Sequence, residues 1–139
     1  MEVRLATIED AEELYRLNEL FGNSSTIEAI RQSLQENDRE IVCIAYIDGI
    51  AAGFCAGLIA KSMCHIRPRV DIEAVFVREE YRRQGVGRAL MSLLEKEAVS
   101  RGVYHFHLNT HSMNTAAQTL YEKSGYERTE EILFEKTIS

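Results

Sequence analysis

A strand, a basic turn and a helix follow one another without a spacer in VDIEAVFVREEYRRQGVGRALMSLLEKEA, residues 70–98. This junction restricts the chain more than any other stretch. A strand that passes through a short turn into a long amphipathic helix belongs to a layered fold, with the helix packed on a sheet. Val86, Leu90, Leu93, Leu94 and Ala98 form the apolar stripe of that helix, and Gly102 supplies its C-terminal stop. The turn gathers Arg82, Arg83 and Arg88 around Gly85 and Gly87, in a chain whose formal net charge is −6. The first N–H groups of a helix lack intrahelical partners and carry partial positive charge. Glycine lets an anion reach such backbone without a Cβ in the way. Arg82, Arg83, Gln84, Gly85, Val86, Gly87 and Arg88 are therefore a candidate cradle for a phosphate or diphosphate. The plainer alternative is a strand-to-helix junction with solvated arginines.

The rest of the chain fits one domain spanning residues 1–139. MEVRLAT reads as a first strand, and TIED matches a capping box ahead of apolar positions Ala11, Leu14, Leu17 and Leu20. GNSSTIEAIRQSLQEN reads as a second helix with Ile27, Ile30 and Leu34 at helical spacing. Two apolar runs joined by Asp48 and Gly49 predict a β-hairpin. Beyond the long helix, VYHFHLNT predicts a strand, NTAAQTLYEKSG a helix ending near Gly125, and RTEEILFEKTI a final strand. The expected fold is α/β (α+β): a mixed, mostly antiparallel central sheet with helices on both faces.

Composition excludes several functions. The acidic balance argues against nonspecific nucleic-acid binding. No apolar run reaches the roughly 18 residues of a membrane span, and no signal-peptide core opens the chain. Cys43, Cys55 and Cys64 are odd in number and lack metal-ligand spacing, which predicts reduced thiols packed in strands and a cytoplasmic protein. His105 and His107 share a strand face, but no third ligand accompanies them at a recognisable spacing, so no metal is expected.

Two carboxylates precede the turn. Strand alternation puts Asp71, Glu73, Val75 and Val77 on one face and Ile72, Ala74 and Phe76 on the other. The acids either face solvent, pair with Arg67 or Arg69, or do chemistry. An aliphatic ammonium must lose a proton before it can attack a thioester, and a nearby carboxylate can accept that proton.

The cradle is neither a P-loop nor a dinucleotide fingerprint. G-x-x-x-x-G-K-[ST] is absent, and a G-x-G-x-x-G/A frame starting at Gly85 ends on Leu90. What matches is R-x-x-G-x-G, Arg82 to Gly87. Here the chain resembles the GNAT superfamily of N-acetyltransferases, whose Q/R-x-x-G-x-G/A signature cradles the pyrophosphate of coenzyme A. NTAAQTLYEKSGY resembles the family's later N-x-x-A-x-x-x-Y segment. The resemblance implies an acetyl-CoA-dependent N-acetyltransferase working by direct transfer in a ternary complex. In such an enzyme the fourth strand splays from its neighbour, and the pantetheine arm runs along backbone at Val75, Phe76 and Val77. The Val77 N–H polarises the thioester carbonyl. Glu73 first, or Asp71, serves as base; Asn114 binds the pantetheine arm, and Tyr121 protonates the departing thiolate. The acceptor is a small cationic amine or a peptide amine, with no nucleic acid or membrane partner and a possible homodimer. A non-catalytic acyl-CoA sensor retaining the cradle is the rival from another class.

Overall fold

Asp48 and Gly49 both take positive φ, 50° and 79°, the geometry of a two-residue hairpin turn whose twist suits the flanking strands. That hairpin joins β2 (Glu40–Ile47) to β3 (Ile50–Ala60), the centre of the sheet. The computed structural model describes every residue from Met1 to Ser139 and divides into two compact units, Met1–Asn109 and Thr110–Ser139.

The first unit holds the whole sheet. β1 (Glu2–Leu5), β2, β3, β4 (Arg69–Val77) and β5 (Phe106–Leu108) lie side by side in chain order. The first four are antiparallel to their neighbours, and β5 runs parallel to β4. Helices α1 (Ala11–Phe21) and α2 (Ile27–Glu36) precede the hairpin, and α3 (Val86–Ser100) joins β4 to β5. Leu14 and Leu17 of α1 cluster with Ile44, Phe54, Ala56 and Ala74 on one sheet face. On the opposite face the Cys55 thiol donates to the Leu90 carbonyl of α3 at 3.3 Å. A Cβ at Gly57 would strike Leu94 of the same helix. Helices thus cover both faces of a mixed, mostly antiparallel sheet, as the sequence predicts.

The start of α1 is locked to the sheet by one carboxylate. Asp10 is 2% exposed. It accepts from both terminal nitrogens of Arg4, at 2.8 and 2.9 Å, from the Thr7 N–H at 2.7 Å, and from the Tyr46 hydroxyl at 2.7 Å. The Thr7 bond is the return half of the expected capping box. Burial alone would raise the Asp10 pKa. The Arg4 guanidinium, the Thr7 N–H and the Tyr46 hydroxyl outweigh it and hold the carboxyl at about 2. The Tyr46 phenol is pushed up to about 12 by burial and by its bond to Asp10. α2 is capped differently, by the Thr26 hydroxyl oxygen accepting from Ala29 N–H at 3.1 Å.

Several expectations need correction. Leu20 is exposed and leaves the α1 stripe, and Leu93 is only half-buried, with Met91 buried instead. The second helix starts at Ile27, so residues 22–26 lie outside it. β5 keeps only three residues of the predicted strand. Cys43 and Cys55 are buried and reduced in paired strands, but Cys64 lies exposed in a loop. In the second unit α4 (Thr115–Lys123) forms as expected, followed by Gly125 at φ 93°. The final strand does not form: residues 127–139 enter no ladder. A run of apolar side chains makes a segment able to pair, but a strand exists only beside a partner. No helix of the chain is long and apolar enough to cross a membrane.

Because the folded-state pKa of Asp10 lies below its ordinary 3.8, its contribution is present above pH 4 and is lost as pH falls toward 2. The shift corresponds to about 2 kcal/mol. Asp10→Asn is expected to lower the urea-unfolding stability at pH 7 by about 2–4 kcal/mol, since it strands the Arg4 charge. The same variant should lose less stability than the parent chain between pH 4 and pH 2.5.

Candidate active site

Glu73 interrupts the regular pairing of β4. Ala74 lies opposite Ala56, but Ile72 lies opposite Gly57, so Glu73 is an extra residue with no partner on β3. This bulge reverses the alternation that the sequence predicts. Val75 pairs with Cys55 and Ile72 with Gly57, placing both on the α3 face. Ala74 and Phe76 face α1, and register puts Asp71 on that side too, so Asp71 does not share a face with Val75 and Val77.

The same residue marks a fork. β4 and β5 pair at Val70–Phe106, Asp71–His107 and Ile72–Leu108, and there the ladder ends. β4 continues to Val77 along β3. The Arg78 N–H bonds the Ala52 carbonyl at 2.8 Å, which fixes the phase of the ladder. Phe76 therefore directs its N–H and carbonyl to β3, whereas Val75 and Val77 direct theirs away from it. β4 thus runs five residues beyond its last pair with β5, which itself ends at Leu108. Gly53 enables the close β3–β4 approach here: a Cβ on it would lie 2.5 Å from the Phe76 carbonyl oxygen.

The two carboxylates differ in their surroundings. Asp71 is half-buried and accepts from Arg69 Nε at 2.9 Å, one of the pairings the sequence leaves open. Glu73 is exposed, with no ion pair and no hydrogen bond. Further along, Phe21, Phe54 and Phe76 form an aromatic cluster, with ring centroids 5.3 to 6.4 Å apart. The sequence gives no hint of this grouping, because Phe21 and Phe54 meet only through tertiary packing.

The turn after β4 curls tightly onto the start of α3. A short 3-10 turn, Glu79–Tyr81, leads into it. Arg82 folds back, its Nε donating to the Val77 carbonyl at 3.0 Å, and so ties the turn to the strand end. Arg83 takes φ 64° and Gly85 takes φ 82°, two left-handed residues that curl the backbone onto the first turn of α3. Gly85 caps α3 without a side chain, and no acidic residue stands in its first turn. The N–H groups at Val86, Gly87 and Arg88 keep their positive ends unneutralised. Val86 and Gly87 are buried, while Arg82, Arg83, Gln84 and Arg88 are exposed. Gln84 reaches back to the Glu80 carbonyl at 3.5 Å. Arg83 and Arg88 hold no carboxylate.

Asn114 and Tyr121 belong to the second unit. The Asn114 side-chain oxygen accepts from Ala117 N–H at 3.1 Å, so Asn114 caps α4 and retains its amide hydrogens as free donors. Tyr121 is half-buried, stacks obliquely on Tyr126 at 6.5 Å, and has its phenol pKa raised by burial. A separate surface concavity is lined by Met1, Glu2, Arg4, Tyr46, Asp48 and Gly49 at the β1–β2 side of the sheet. Its guanidinium is committed to Asp10, and none of the predicted site residues lines it.

A profile of the acetyltransferase (GNAT) family matches residues 7–126. The chain belongs to the GNAT family of acetyltransferases. Among its relatives is an aminoglycoside N(6')-acetyltransferase type 1 from Salmonella typhimurium strain LT2. It is 30% identical over 94 residues, which cover 66% of this chain and 65% of that enzyme. An uncharacterised N-acetyltransferase, YhfO, from Bacillus subtilis strain 168 is 28% identical over 134 residues, covering 91% of this chain and 90% of that one. Among solved structures, aminoglycoside acetyltransferase AAC(6')-Iy with a coenzyme A bisubstrate analogue superposes with a TM-score of 0.86. It is 24% identical, covers 99% of this GNAT chain and is itself covered to 98%, a likeness of fold.

Replacing Gly53 by alanine should disturb this GNAT strand pair from within. The new Cβ meets backbone rather than a movable side chain, so β3 and β4 must part. Gly53→Ala is expected to cost about 1–3 kcal/mol in urea unfolding.

Proposed function

We propose that this chain transfers the acetyl group of acetyl-CoA to a primary amine by direct attack in a ternary complex. The observation that carries this reading is the fork at Glu73. It combines an unpaired carboxylate, outward-facing N–H groups at Val75 and Val77, and a helix start with free guanidinium groups a few residues downstream. The family of the chain and the activities of its relatives support the same reading.

In this mechanism the first turn of α3, with Arg82, Arg83 and Arg88, grips the diphosphate of coenzyme A. Gln84, Gly85, Val86 and Gly87 supply the rest of the cradle. The pantetheine arm replaces the missing strand along Val75, Phe76 and Val77, as an added strand would. The Asn114 amide assists it. Glu73 accepts the ammonium proton, directly or through water. Its freedom from any partner favours it over Asp71, which Arg69 already neutralises. The amine lone pair then attacks the thioester carbon, and the oxygen that gains charge is held by the Val77 N–H. Collapse breaks the carbon–sulfur bond, Tyr121 gives its proton to the leaving thiolate, and the surplus proton on the new amide nitrogen leaves through solvent to restore the phenol. A phenol whose pKa is raised stays protonated through neutral pH, the form this role needs. Binding both reactants side by side supplies much of the rate.

The acceptor is a small cationic amine such as an aminoglycoside, polyamine or amino acid derivative. The partly exposed rings of Phe21 and Phe76 and the free carboxylate of Glu73 suit a cation with apolar faces. A chain that binds the cofactor need not turn it over, so a sensor is distinguished by kinetics alone.

A panel of amines with acetyl-CoA, followed by release of free thiol, tests the reading. Glu73→Gln is expected to lower kcat at saturating cofactor by about 100-fold or more, and Tyr121→Phe by about tenfold, each leaving the Kd for coenzyme A nearly unchanged. Thiol release at the no-amine rate across the panel, with coenzyme A still bound, would instead assign a sensor. Joint replacement of Arg83 and Arg88 by alanine should weaken coenzyme A binding about tenfold or more by calorimetry, and dephosphorylated pantetheine should not register the change.

A further inference from the structure

His105, just ahead of β5, and His107 within it project to the same side of an extended segment. Their Nε2 atoms stand 2.9 Å apart, with ring centroids separated by 4.7 Å and the rings inclined at 71°. Neither imidazole is claimed by a carboxylate or by another side chain. Two nitrogen ligands about 2.05 Å from one ion and about 90° apart are about 2.9 Å from each other, and at a tetrahedral angle about 3.3 Å. The observed separation is that of adjacent positions in square-planar or octahedral coordination.

We propose that His105 and His107 together chelate one divalent transition-metal ion. Cu2+ and Ni2+ fit the separation as it stands, and Zn2+ fits after the rings open by a few tenths of an ångström. Without an ion, one Nε2–H donates to the other Nε2. On binding, that hydrogen is exchanged through solvent to Nδ1 of its own ring. Both rings stay neutral and both Nε2 lone pairs face the ion. No cluster of three metal-ligating side chains exists, so water fills the other positions and the ion exchanges freely. It is not a resident cofactor of the transfer reaction. The sequence withholds this site because two histidines without a third ligand match no motif.

The location gives the site a consequence. His107 is the register partner of Asp71, whose carboxylate is held by Arg69. A bound dication therefore sits on the acceptor side of β4 and repels a cationic amine. This second step rests on the proposed function; the binding step does not.

The test uses the untagged full chain carrying Cys64→Ser, which removes the exposed thiol as a competing ligand. Pulsed EPR with one equivalent of CuCl2 should detect two equatorial imidazoles. His105→Gln and His107→Gln should each leave one and weaken binding at least about tenfold, because the chelate is lost. His65→Gln with His111→Gln should change neither. His105 is exposed, so its variant keeps the fold. Equal affinity and equal imidazole count in the His105→Gln/His107→Gln double variant would overturn the site. Acetylated product measured by mass spectrometry with added Ni2+ should fall for the parent chain and not for the double variant. An equal fall in both overturns the inhibitory consequence alone.

Discussion

Backbone N–H groups inside a sheet must be paired, and β4 obeys that rule on one edge while breaking it on the other. Toward β3 its ladder runs to the strand end. Toward β5 it stops at Ile72, and the peptide groups that follow enter no ladder on that edge. The bulge at Glu73 is the device that produces this asymmetry. One added residue shifts the side-chain parity, bends the strand and turns a carboxylate out at the point of divergence. Gly53 keeps the opposite edge tight, so β4 is held firmly from one side while it stays open on the other.

Charge is arranged with the same economy of place. The chain is acidic as a whole, yet Arg83 and Arg88, exposed and without a carboxylate, flank the one α-helix start that carries neither side-chain cap nor acid. Several other guanidinium groups are neutralised: Arg4 by Asp10, Arg69 by Asp71, Arg78 by Glu80, Arg101 by Glu97. A net negative surface favours approach of cations, and a local positive turn retains an anion. A bisubstrate reaction between an anionic cofactor and a cationic acceptor needs both.

Local signals in the sequence were legible and nonlocal ones were not. Asp48–Gly49, Thr7 with Asp10, and the glycine–arginine turn before α3 each encode their geometry within a few residues, and each appears in the fold. The bulge does not announce itself, because an extra glutamate leaves the apolar pattern readable in either parity. Alternation carried across it misplaced Asp71 relative to Val75. The Arg4–Asp10–Tyr46 network was half visible: the Thr7 bond is local, whereas Tyr46 lies 36 residues from Asp10. The contrast between a neutralised Asp71 and a free Glu73 likewise depends on side-chain geometry that spacing cannot supply. The last predicted strand failed for a related reason. An apolar run records a capacity for pairing and says nothing of who the neighbour is.

That C-terminal segment bears on how the molecule behaves in concentrated solution. Ile132, Leu133 and Phe134 stand in water, Phe134 at 89% exposure, within a run free of proline. Short stretches of this kind stack readily into intermolecular β-structure. Here Glu130 and Glu131 precede the three apolar residues, and Glu135 and Lys136 follow them. Flanking charges of this sort act as gatekeepers, since stacking copies would bring like carboxylates into register. Colloidal solubility at the tail is therefore governed by four charged side chains.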